Sequence, residues 1–157
     1  MRAKSPNRKQ VKKLLKKISH KGAGKEACWP DGYCLGMISN YSTQKNPQVL
    51  MDGRIYNIDK LVQKHDTDNS SSLSDSEKIS QLINKMGSSV IKEFQGAFSL
   101  VATDEDNNTY LARDTIGIKP LYYVQDDQSV TFASEIKSLL EYGDRINRIS
   151  SWLFDEK

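Results

Sequence analysis

The sequence predicts an α+β domain built from clustered strands and helices rather than a doubly wound parallel sheet. Two strand-like runs, at residues 97–102 and 130–135, flank a block that contains Gly117 and Pro120, and other segments repeat apolar residues at helical spacing. Strands and helices that come in groups instead of strict alternation favour layered α+β folds. With 157 residues, the chain is long enough for one domain with a substantial core.

An amphipathic helix is predicted near the start of the chain. Val11, Leu14, Leu15 and Ile18 recur at helical spacing, and lysines fill the opposite face. Four elements are expected between this helix and residue 66: two short strands within residues 27–39, a short strand at 48–51 that ends at Asp52-Gly53, and a short helix at 56–65.

The second half of the chain begins with a polar loop at residues 66–72. A helix capped by Ser74 or Asp75 is expected to run through Met86, with Glu77 in its first turn. The remaining predictions are a second helix at 89–94, three strands separated by hairpin-like turns at 104–108 and 125–128, a helix at 134–142, and a tail through Trp152 and Phe154 of undetermined structure.

Charge is unevenly distributed along the chain. Residues 1–21 hold nine of the 23 Lys and Arg residues and none of the 20 acidic residues, so the net charge of +3 combines a basic arm with an acidic body. Such an arm is able to contact RNA, DNA or an acidic partner, but it is also typical of the solvated face of a helix. No run approaches the roughly 18–20 apolar residues of a membrane span. Since no secretory signal pattern is present either, we expect a cytoplasmic protein without membrane contact.

Two cysteines, Cys28 and Cys34, flank a short turn. With only His20 and His65 elsewhere in the chain, they do not complete a zinc-binding set, and buried, inert thiols are the favoured interpretation. A disulfide across the turn is geometrically feasible but disfavoured in a cytoplasmic setting. We therefore expect neither a metal nor a cofactor.

Several motifs follow one another along the chain. They are Asp-Gly-Arg-Ile-Tyr-Asn at 52–57, Ser-Asp-Ser-Glu at 74–77, Gln-Gly-Ala-Phe at 95–98, the block at 111–123, and Phe-Ala-Ser-Glu-Ile-Lys at 132–137. In this order and spacing they resemble the glutaminase domain of asparagine synthetases, which are class II glutamine amidotransferases. Residues 18–22 and 29–36 are similar to the end of that family's first helix and to its next hairpin.

The resemblance implies a four-layer αββα sandwich of the N-terminal-nucleophile-hydrolase type. The family's usual first strand, which begins Cys-Gly-Ile, has no counterpart ahead of the first helix, so an open sheet edge is expected. Three regions are predicted: a basic amphipathic helix at 1–22, a glutamine amidotransferase type 2-like domain at 23–145, and a tail at 146–157 with the synthetase domain absent.

The family's chemistry, as the resemblance implies it, uses an amino-terminal Cys nucleophile and an oxyanion site made of an Asn and a Gly. An Arg meets the substrate carboxylate, and a Glu and an Asp meet its ammonium group. In this chain Gly53 and Asp75 match the family and are residual substrate-binding positions by resemblance, although Asp75 has an alternative role as a helix cap. Asp52 replaces the Asn and Arg54 replaces the Glu, so both are degenerate site positions.

No catalytic residue is assigned. The chain begins with Met1 rather than Cys, and the strand at residues 35–39 lacks the Arg that the resemblance implies. Cys28 would become amino-terminal only after removal of the first 27 residues, and by the resemblance it falls on a mid-domain strand, so it is rejected as the nucleophile.

Three functional hypotheses follow. The leading one is a degenerate, non-catalytic glutaminase domain that acts as an interaction or regulatory remnant. The first alternative is a glutaminase subunit that supplies ammonia to a separate asparagine-synthetase-type amidotransferase, with a nucleophile upstream of Met1. The second is a nucleic-acid-associated protein that uses the basic arm. The expected partners are a synthetase subunit or another copy of the chain at the open sheet edge, whereas the degenerate positions argue against glutamine binding.

The block at residues 111–123 also has a structural interpretation. Arg113 and Asp114 are each expected to meet an opposite charge at the edge of the core. Gly117 is expected to need a positive φ or a close approach, and Pro120 to lie at a strand start or a sheet edge. We expect this block to stabilise the fold and to do no chemistry.

Overall fold

A computed structural model describes residues 13, 16, 24–28, 34–38, 48–67, 72–106, 108–126, 129–148 and 152–155. The chain forms two compact units: the first comprises Asn46–Leu121 and Ile149–Lys157, and the second comprises Met1–Lys45 and Tyr122–Arg148. The described strands are β1 (Gly24–Cys28), β2 (Cys34–Ile38), β3 (Val49–Ile55), β4 (Gly96–Thr103), β5 (Thr109–Arg113), β6 (Tyr122–Asp126), β7 (Ser129–Ala133), β8 (Asn147–Arg148) and β9 (Trp152–Asp155). The described α-helices are α1 (Ile58–Lys64) and α2 (Asp75–Met86).

An antiparallel sheet with the order β3-β4-β5-β9 forms the centre of the first unit. Alternate residues of β4 (Phe98, Leu100 and Ala102) join one hydrophobic cluster, to which α1 and α2 contribute their apolar faces. Because side chains alternate across a strand, this two-residue period marks the face that the helices cover. The core therefore lies between one face of this sheet and the helices.

Helix α2 begins where its sequence provides a cap. The Ser74 Oγ accepts a hydrogen bond from the Glu77 N–H, and the Glu77 carboxylate accepts one from the Ser74 N–H at 2.7 Å. This reciprocal capping box satisfies two main-chain donors that a helix start leaves unpaired. Ser74 is thus the cap, and Asp75 is the first helical residue rather than the cap.

Two glycines allow β3 and β4 to approach closely. A Cβ on Gly53, which has φ +105°, would overlap the carbonyl oxygen of Ala97, and a Cβ on Gly96 would overlap the carbonyl oxygen of Arg54. The expectation that the strand ends at Asp52-Gly53 is wrong, because Gly53 adopts the positive φ and lets pairing continue to Ile55.

The second unit contains two small antiparallel sheets. Strands β1 and β2 form a hairpin with Cys28 opposite Cys34, which agrees with the predicted strand pair. Strands β7, β6 and β8 form the other sheet in that order. The side chains of Cys28 and Cys34 lie outside the described part of the chain, so the prediction of inert thiols remains a prediction.

Two expectations about the second half of the chain are wrong. The sequence predicted three strands after residue 95, but the stretch between the two turns is divided by residues 114–121 into β5 and β6, which belong to different sheets. Residues 134–142 were expected to form a helix, and they form parts of two short 3₁₀ helices, Ile136–Ser138 and Leu140–Arg145. The non-helical Gly143 (φ +56°) interrupts the second of these.

Other segments add detail to the predictions. The expected helix at 89–94 is a 3₁₀ helix, Gly87–Glu93, and the tail contains β8 and β9, of which β9 pairs with β5. Within residues 1–22 only Lys13 and Lys16 are described; both are helical and exposed, and the rest of the predicted arm lies outside the described residues. No described helix is long and apolar enough to cross a membrane.

Candidate functional site

The residues predicted to form the site lie on two elements of the first unit. Asp52, Gly53 and Arg54 are consecutive on β3, and Asp75 opens α2, which packs against β3. Arg54 is exposed, whereas Asp52 and Asp75 are half-buried. Among the described residues, no hydrogen bond or ion pair joins Asp75 to the three β3 residues. The fold therefore places these positions on two elements that pack against each other, β3 and α2, but no described hydrogen bond or ion pair connects Asp75 to the β3 residues.

An asparagine fixes the backbone beside the site. The Asn57 side chain donates from Nδ2 to the Glu93 carbonyl and accepts at Oδ1 from the Gln95 N–H, each at 2.9 Å. The Tyr56 N–H also donates to the Gln95 carbonyl at 2.7 Å. These bonds connect the end of β3 to the start of β4, where Gly96 contacts Arg54. They therefore fix the main chain next to the predicted site residues.

The side chain of Asp52 forms an ion pair that the sequence did not indicate. Its Oδ1 accepts from the Lys119 ammonium at 2.9 Å, and the two side chains are 44% and 34% exposed. The partners are 67 residues apart in the chain, so no local pattern could have paired them. Sequence reasoning had left Lys119 without a role at the site.

Lys119 is held in place by a turn organised around Asp114. This carboxylate is 4% exposed, and it accepts at Oδ1 from the Gly117 and Ile118 N–H groups and at Oδ2 from the Lys119 N–H at 3.0 Å. Burial raises the pKa of Asp114, but the main-chain donors from Lys119, Ile118 and Gly117 outweigh it, so the pKa lies below its ordinary value. The expectation of an opposite charge for Asp114 is wrong, because main-chain N–H groups satisfy it instead.

Gly117 has the positive φ that its position in the turn predicted. Its φ is +77°, and a Cβ there would overlap the guanidinium of Arg113, which lies against it. The turn after β5 is therefore shaped by a buried carboxylate and a glycine. Together they aim the Lys119 side chain at β3.

This arrangement presents charged donors and acceptors. Asp52 is an acceptor when ionised, Lys119 is a donor, and Arg54 offers five donors in a planar fork. Within the described segments, no group of three or more His, Cys, Asp or Glu residues is arranged to hold a metal ion.

The fold resembles that of a solved enzyme. The glutamine phosphoribosylpyrophosphate (PRPP) amidotransferase from B. subtilis, solved in complex with ADP and GMP, superposes with a TM-score of 0.64 at 15% sequence identity. The match covers 98% of this chain and 47% of that chain. The likeness confirms the predicted α+β fold.

A family comparison is more specific. Residues 37–141 match the model of the glutamine amidotransferase domain, which is two thirds of the chain, and the chain belongs to this family. Asparagine synthetase [glutamine-hydrolyzing] 2 of Bacillus subtilis is 36% identical over 95 residues, covering 60% of this chain and 13% of the relative. Asparagine synthetase [glutamine-hydrolyzing] 2 of Arabidopsis thaliana is 32% identical over 147 residues, covering 84% of this chain and 25% of the relative.

These findings confirm the resemblance carried by the sequence motifs. The chain is a class II glutamine amidotransferase-type domain similar to the glutaminase-like domain of asparagine synthetases. It spans no more than a quarter of the length of these two curated relatives.

Proposed function

We propose that this chain is a degenerate asparagine-synthetase-like glutaminase domain that does not hydrolyse glutamine and acts as an interaction or regulatory module. The observation that carries the proposal is the Asp52–Lys119 ion pair. It occupies the position where the resemblance implies an oxyanion-binding amide.

The chemistry of the pair opposes oxyanion stabilisation. An ionised carboxylate has no hydrogen to donate, so Asp52 cannot replace an Asn side chain as an oxyanion donor. Loss of one such donor typically lowers kcat by about 100- to 1,000-fold. The Lys119 ammonium offsets the negative charge, but at 2.9 Å from Oδ1 it is engaged with the carboxylate.

Arg54 opposes the binding of glutamine itself. The resemblance implies a Glu at this position, which attracts the substrate ammonium. A guanidinium remains charged at all relevant pH values and repels another cation. Arg54 is exposed on β3 and directly follows Gly53, so its positive charge lies next to the glycine that matches the family.

The two positions that match the family have structural explanations. Asp75 lies in the first turn of α2, where a negative charge interacts favourably with the partial positive charge of the helix start. Gly53 is required by the close approach of β4. Neither residue therefore needs glutamine binding to account for its presence.

The test compares glutamine binding and hydrolysis in three forms of the chain. We expect the unaltered protein to release no glutamate or ammonia from glutamine above the buffer rate, and to show no saturable calorimetric signal with glutamine. The double variant Asp52→Asn/Arg54→Glu restores the family residues at both degenerate positions, and we expect it to gain weak glutamine binding. Lys60→Met, which removes an exposed charge on α1, is the matched control and should behave as the unaltered protein.

One result would overturn the proposal directly. Glutamine turnover by the unaltered chain that disappears in Cys28→Ala or Cys34→Ala would establish a catalytic cysteine. Glutamine binding that the double variant weakens rather than creates would also contradict the proposed role of the two substitutions.

A specific observation supports the alternative of an ammonia-supplying glutaminase subunit. Gly53, which the resemblance places in the oxyanion site, is retained in this chain with a φ of +105°. The same hydrolysis assay separates the two, since this alternative requires turnover. It also requires that ammonia produced by the chain reaches a synthetase added in the same reaction.

For partners, we propose a synthetase-type subunit or a second copy of the chain at a sheet edge. In the described strand order, β3 and β9 lie at the two ends of the sheet in the first unit, and edge strands expose main-chain donors and acceptors. Sedimentation over a hundredfold range of concentration should show self-association, and a monodisperse monomer throughout would exclude the second copy.

The nucleic-acid hypothesis is supported only by the charge of the basic arm. Salt-dependent binding of nucleic acid that survives deletion of residues 1–21 would exclude the arm as its cause.

A further inference from the structure

Strand β3, at one end of the four-stranded sheet in the first unit, exposes main chain to solvent. Gly53 has no side chain beyond hydrogen, yet it is exposed, so its main-chain groups are accessible. Its neighbour Arg54 is also exposed, and Asp52 is half-buried. With seven residues, β3 is longer than β9, the four-residue strand at the other end of the sheet. The β3 edge therefore offers the better surface for the addition of another strand.

The register of β3 with β4 determines which main-chain groups point outward. The Thr103 N–H donates to the Gln48 carbonyl at 2.8 Å. The Tyr56 N–H donates to the Gln95 carbonyl at 2.7 Å, so the hydrogen-bonded pairs fall on the even-numbered residues from 48 to 56. The odd-numbered residues of β3 then direct their N–H and C=O groups away from β4. These outward-directed residues are Val49, Met51, Gly53 and Ile55.

One face of β3 carries side chains in a self-complementary order. Val49 and Ile55 belong to the hydrophobic cluster to which α1 and α2 contribute, so the alternate residues occupy the opposite face. Those residues are the half-buried Leu50 and Asp52, the exposed Arg54 and, directly after the strand, Tyr56, which is 70% exposed. Their order is apolar, negative, positive and aromatic. When the same order is read in the opposite direction beside itself, each charge faces its opposite and each apolar group faces an aromatic ring.

The ion pair with Lys119 leaves Asp52 able to accept a second cation. Lys119 contacts Oδ1 at 2.9 Å, and within the described segments no hydrogen bond or ion pair uses Oδ2. The Asp52 side chain is 44% exposed, so solvent reaches it. A guanidinium bound at Oδ2 lies closer to the carboxylate than to the Lys119 ammonium, and attraction therefore exceeds repulsion.

We propose that two copies of the chain associate through antiparallel pairing of their β3 strands, with Gly53 of each copy at the two-fold axis. This inference rests on the proposed function, in which Asp52 and Arg54 no longer serve glutamine and are available to an interaction. Asp52 of each copy faces Arg54 of the other in a non-hydrogen-bonded pair, where side chains lie closest. Leu50 faces Tyr56 in the same way. The outward main-chain groups form about six hydrogen bonds across the axis, and the symmetric contact closes as a dimer.

The first test measures self-association of the full chain by sedimentation. A single strand pair buries little surface, so we expect a Kd of about 0.1 mM that weakens with added salt. Arg54→Glu places a carboxylate opposite each Asp52 and should weaken association by at least about tenfold. Lys60→Glu makes the same change of charge at an exposed position on α1 and should leave the Kd unchanged. A monomer at all concentrations, or an equal effect of both variants, would overturn the proposal.

A mixture of two variants tests the assigned register. Asp52→Arg gives each β3 two positive charges and Arg54→Asp gives it two negative charges, so each variant alone should associate more weakly than the unaltered chain. An equimolar mixture should form a heterodimer and recover most of the lost affinity, because opposite charges face each other again at both positions. Circular dichroism verifies that both variants are folded. Folded variants whose mixture remains monomeric would contradict the pairing of Asp52 with Arg54.

Hydrogen exchange of the unaltered chain locates the added strand without any substitution. As the concentration rises through the Kd, the amides of Met51, Gly53 and Ile55 should exchange several-fold more slowly. The amides of Leu50 and Arg54 already face β4 and should change little. Protection at β9 instead of β3, or none at the odd-numbered residues, would overturn the proposal. Glutamine turnover is a separate readout, and its detection would contradict the proposed function while leaving this amide pattern to be judged by itself.

Discussion

The Lys119 ammonium lies 2.9 Å from the Asp52 carboxylate and links the turn after β5 to β3, the strand that carries Asp52, Gly53 and Arg54. The same residue uses its main-chain N–H to bind Asp114, so one lysine joins two carboxylates through two different groups. Because the Asp114 turn fixes the backbone of Lys119, the ammonium is aimed at Asp52 by a preformed structure. The carboxylate at position 52 is thus accommodated by the fold.

The energetic coupling between Asp52 and Lys119 should be small but measurable. Both side chains are partly exposed, so solvent screening limits the pair to about 0.2–1 kcal/mol. A double-mutant cycle of Asp52→Asn and Lys119→Met, followed by urea unfolding, should give a coupling in this range. It should decrease at high salt, and a coupling unchanged by salt would indicate an interaction other than charge pairing.

Replacement of Gly53 should be among the most damaging single changes in the first unit. The added methyl group of Gly53→Ala would overlap the Ala97 carbonyl at a positive φ, so we expect a loss of about 3 kcal/mol or more in the free energy of unfolding. Gly143→Ala is the control: its φ is +56°, but nothing lies within 4 Å of the added carbon. This variant should lose only about 1 kcal/mol from its backbone conformation. Equal losses would show that the strand contact is unimportant.

The capping box of α2 should contribute a typical amount of stability. Ser74→Ala removes the oxygen that accepts from the Glu77 N–H, and we expect the free energy of unfolding to fall by about 1 kcal/mol. Ser76→Ala, in the first turn of the same helix, is the matched control and should change stability by less than about 0.5 kcal/mol. Chemical denaturation followed by circular dichroism measures both variants.

Stability should fall at acidic pH in a way that depends on Asp114. The pKa of this carboxyl is lower in the folded chain than its ordinary value of 3.8, so the fold favours the ionised form. Its contribution is complete above about pH 4 and is lost as the pH falls through the folded pKa. Unfolding measured from pH 7 to pH 3 should therefore decline more steeply for the unaltered chain than for Asp114→Asn. Parallel curves would contradict this assignment.

The variant itself should be less stable at neutral pH. An amide at position 114 keeps one acceptor oxygen, whereas the carboxylate uses both oxygens for three main-chain donors. Loss of the second acceptor leaves a partly buried N–H unsatisfied, which costs about 1 kcal/mol or more. Asp144→Asn, at an exposed position in the second unit, provides a control of identical chemistry.

Local patterns in the sequence predicted those elements whose causes are local. The Ser74–Glu77 box marked the start of α2, and the apolar residues Ile79, Leu82 and Ile83 marked its buried face. The strands on either side of the turn at 104–108 followed from their apolar runs. The ordered motifs indicated the family, because together they cover most of the chain.

Two features were missed because the determining contact is distant in sequence. The continuation of β3 past Gly53 depends on Ala97 and Phe98, which only the folded sheet brings near. The Asp52–Lys119 pair joins residues that are 67 positions apart. The partners of Asp114 are local, but they are main-chain N–H groups of a turn, which a pattern of charged side chains does not reveal. Charge types in the sequence identified candidates for pairing but did not say which groups would meet.

Gly53 of β3 and Gly96 of β4, which lie opposite Phe98 and Ile55, have a consequence for how this domain can change. Gly53 and Gly96 allow the main chains of β3 and β4 to approach closely at the site. This approach does not depend on the side chains of the residues on either side of Gly53. The side chains at positions 52 and 54 can therefore be replaced without disturbing the contact between the strands. A larger residue at either glycine position would overlap a main-chain carbonyl oxygen. A domain that keeps both glycines can therefore change which ligand it binds, or lose ligand binding, while β3 keeps its conformation.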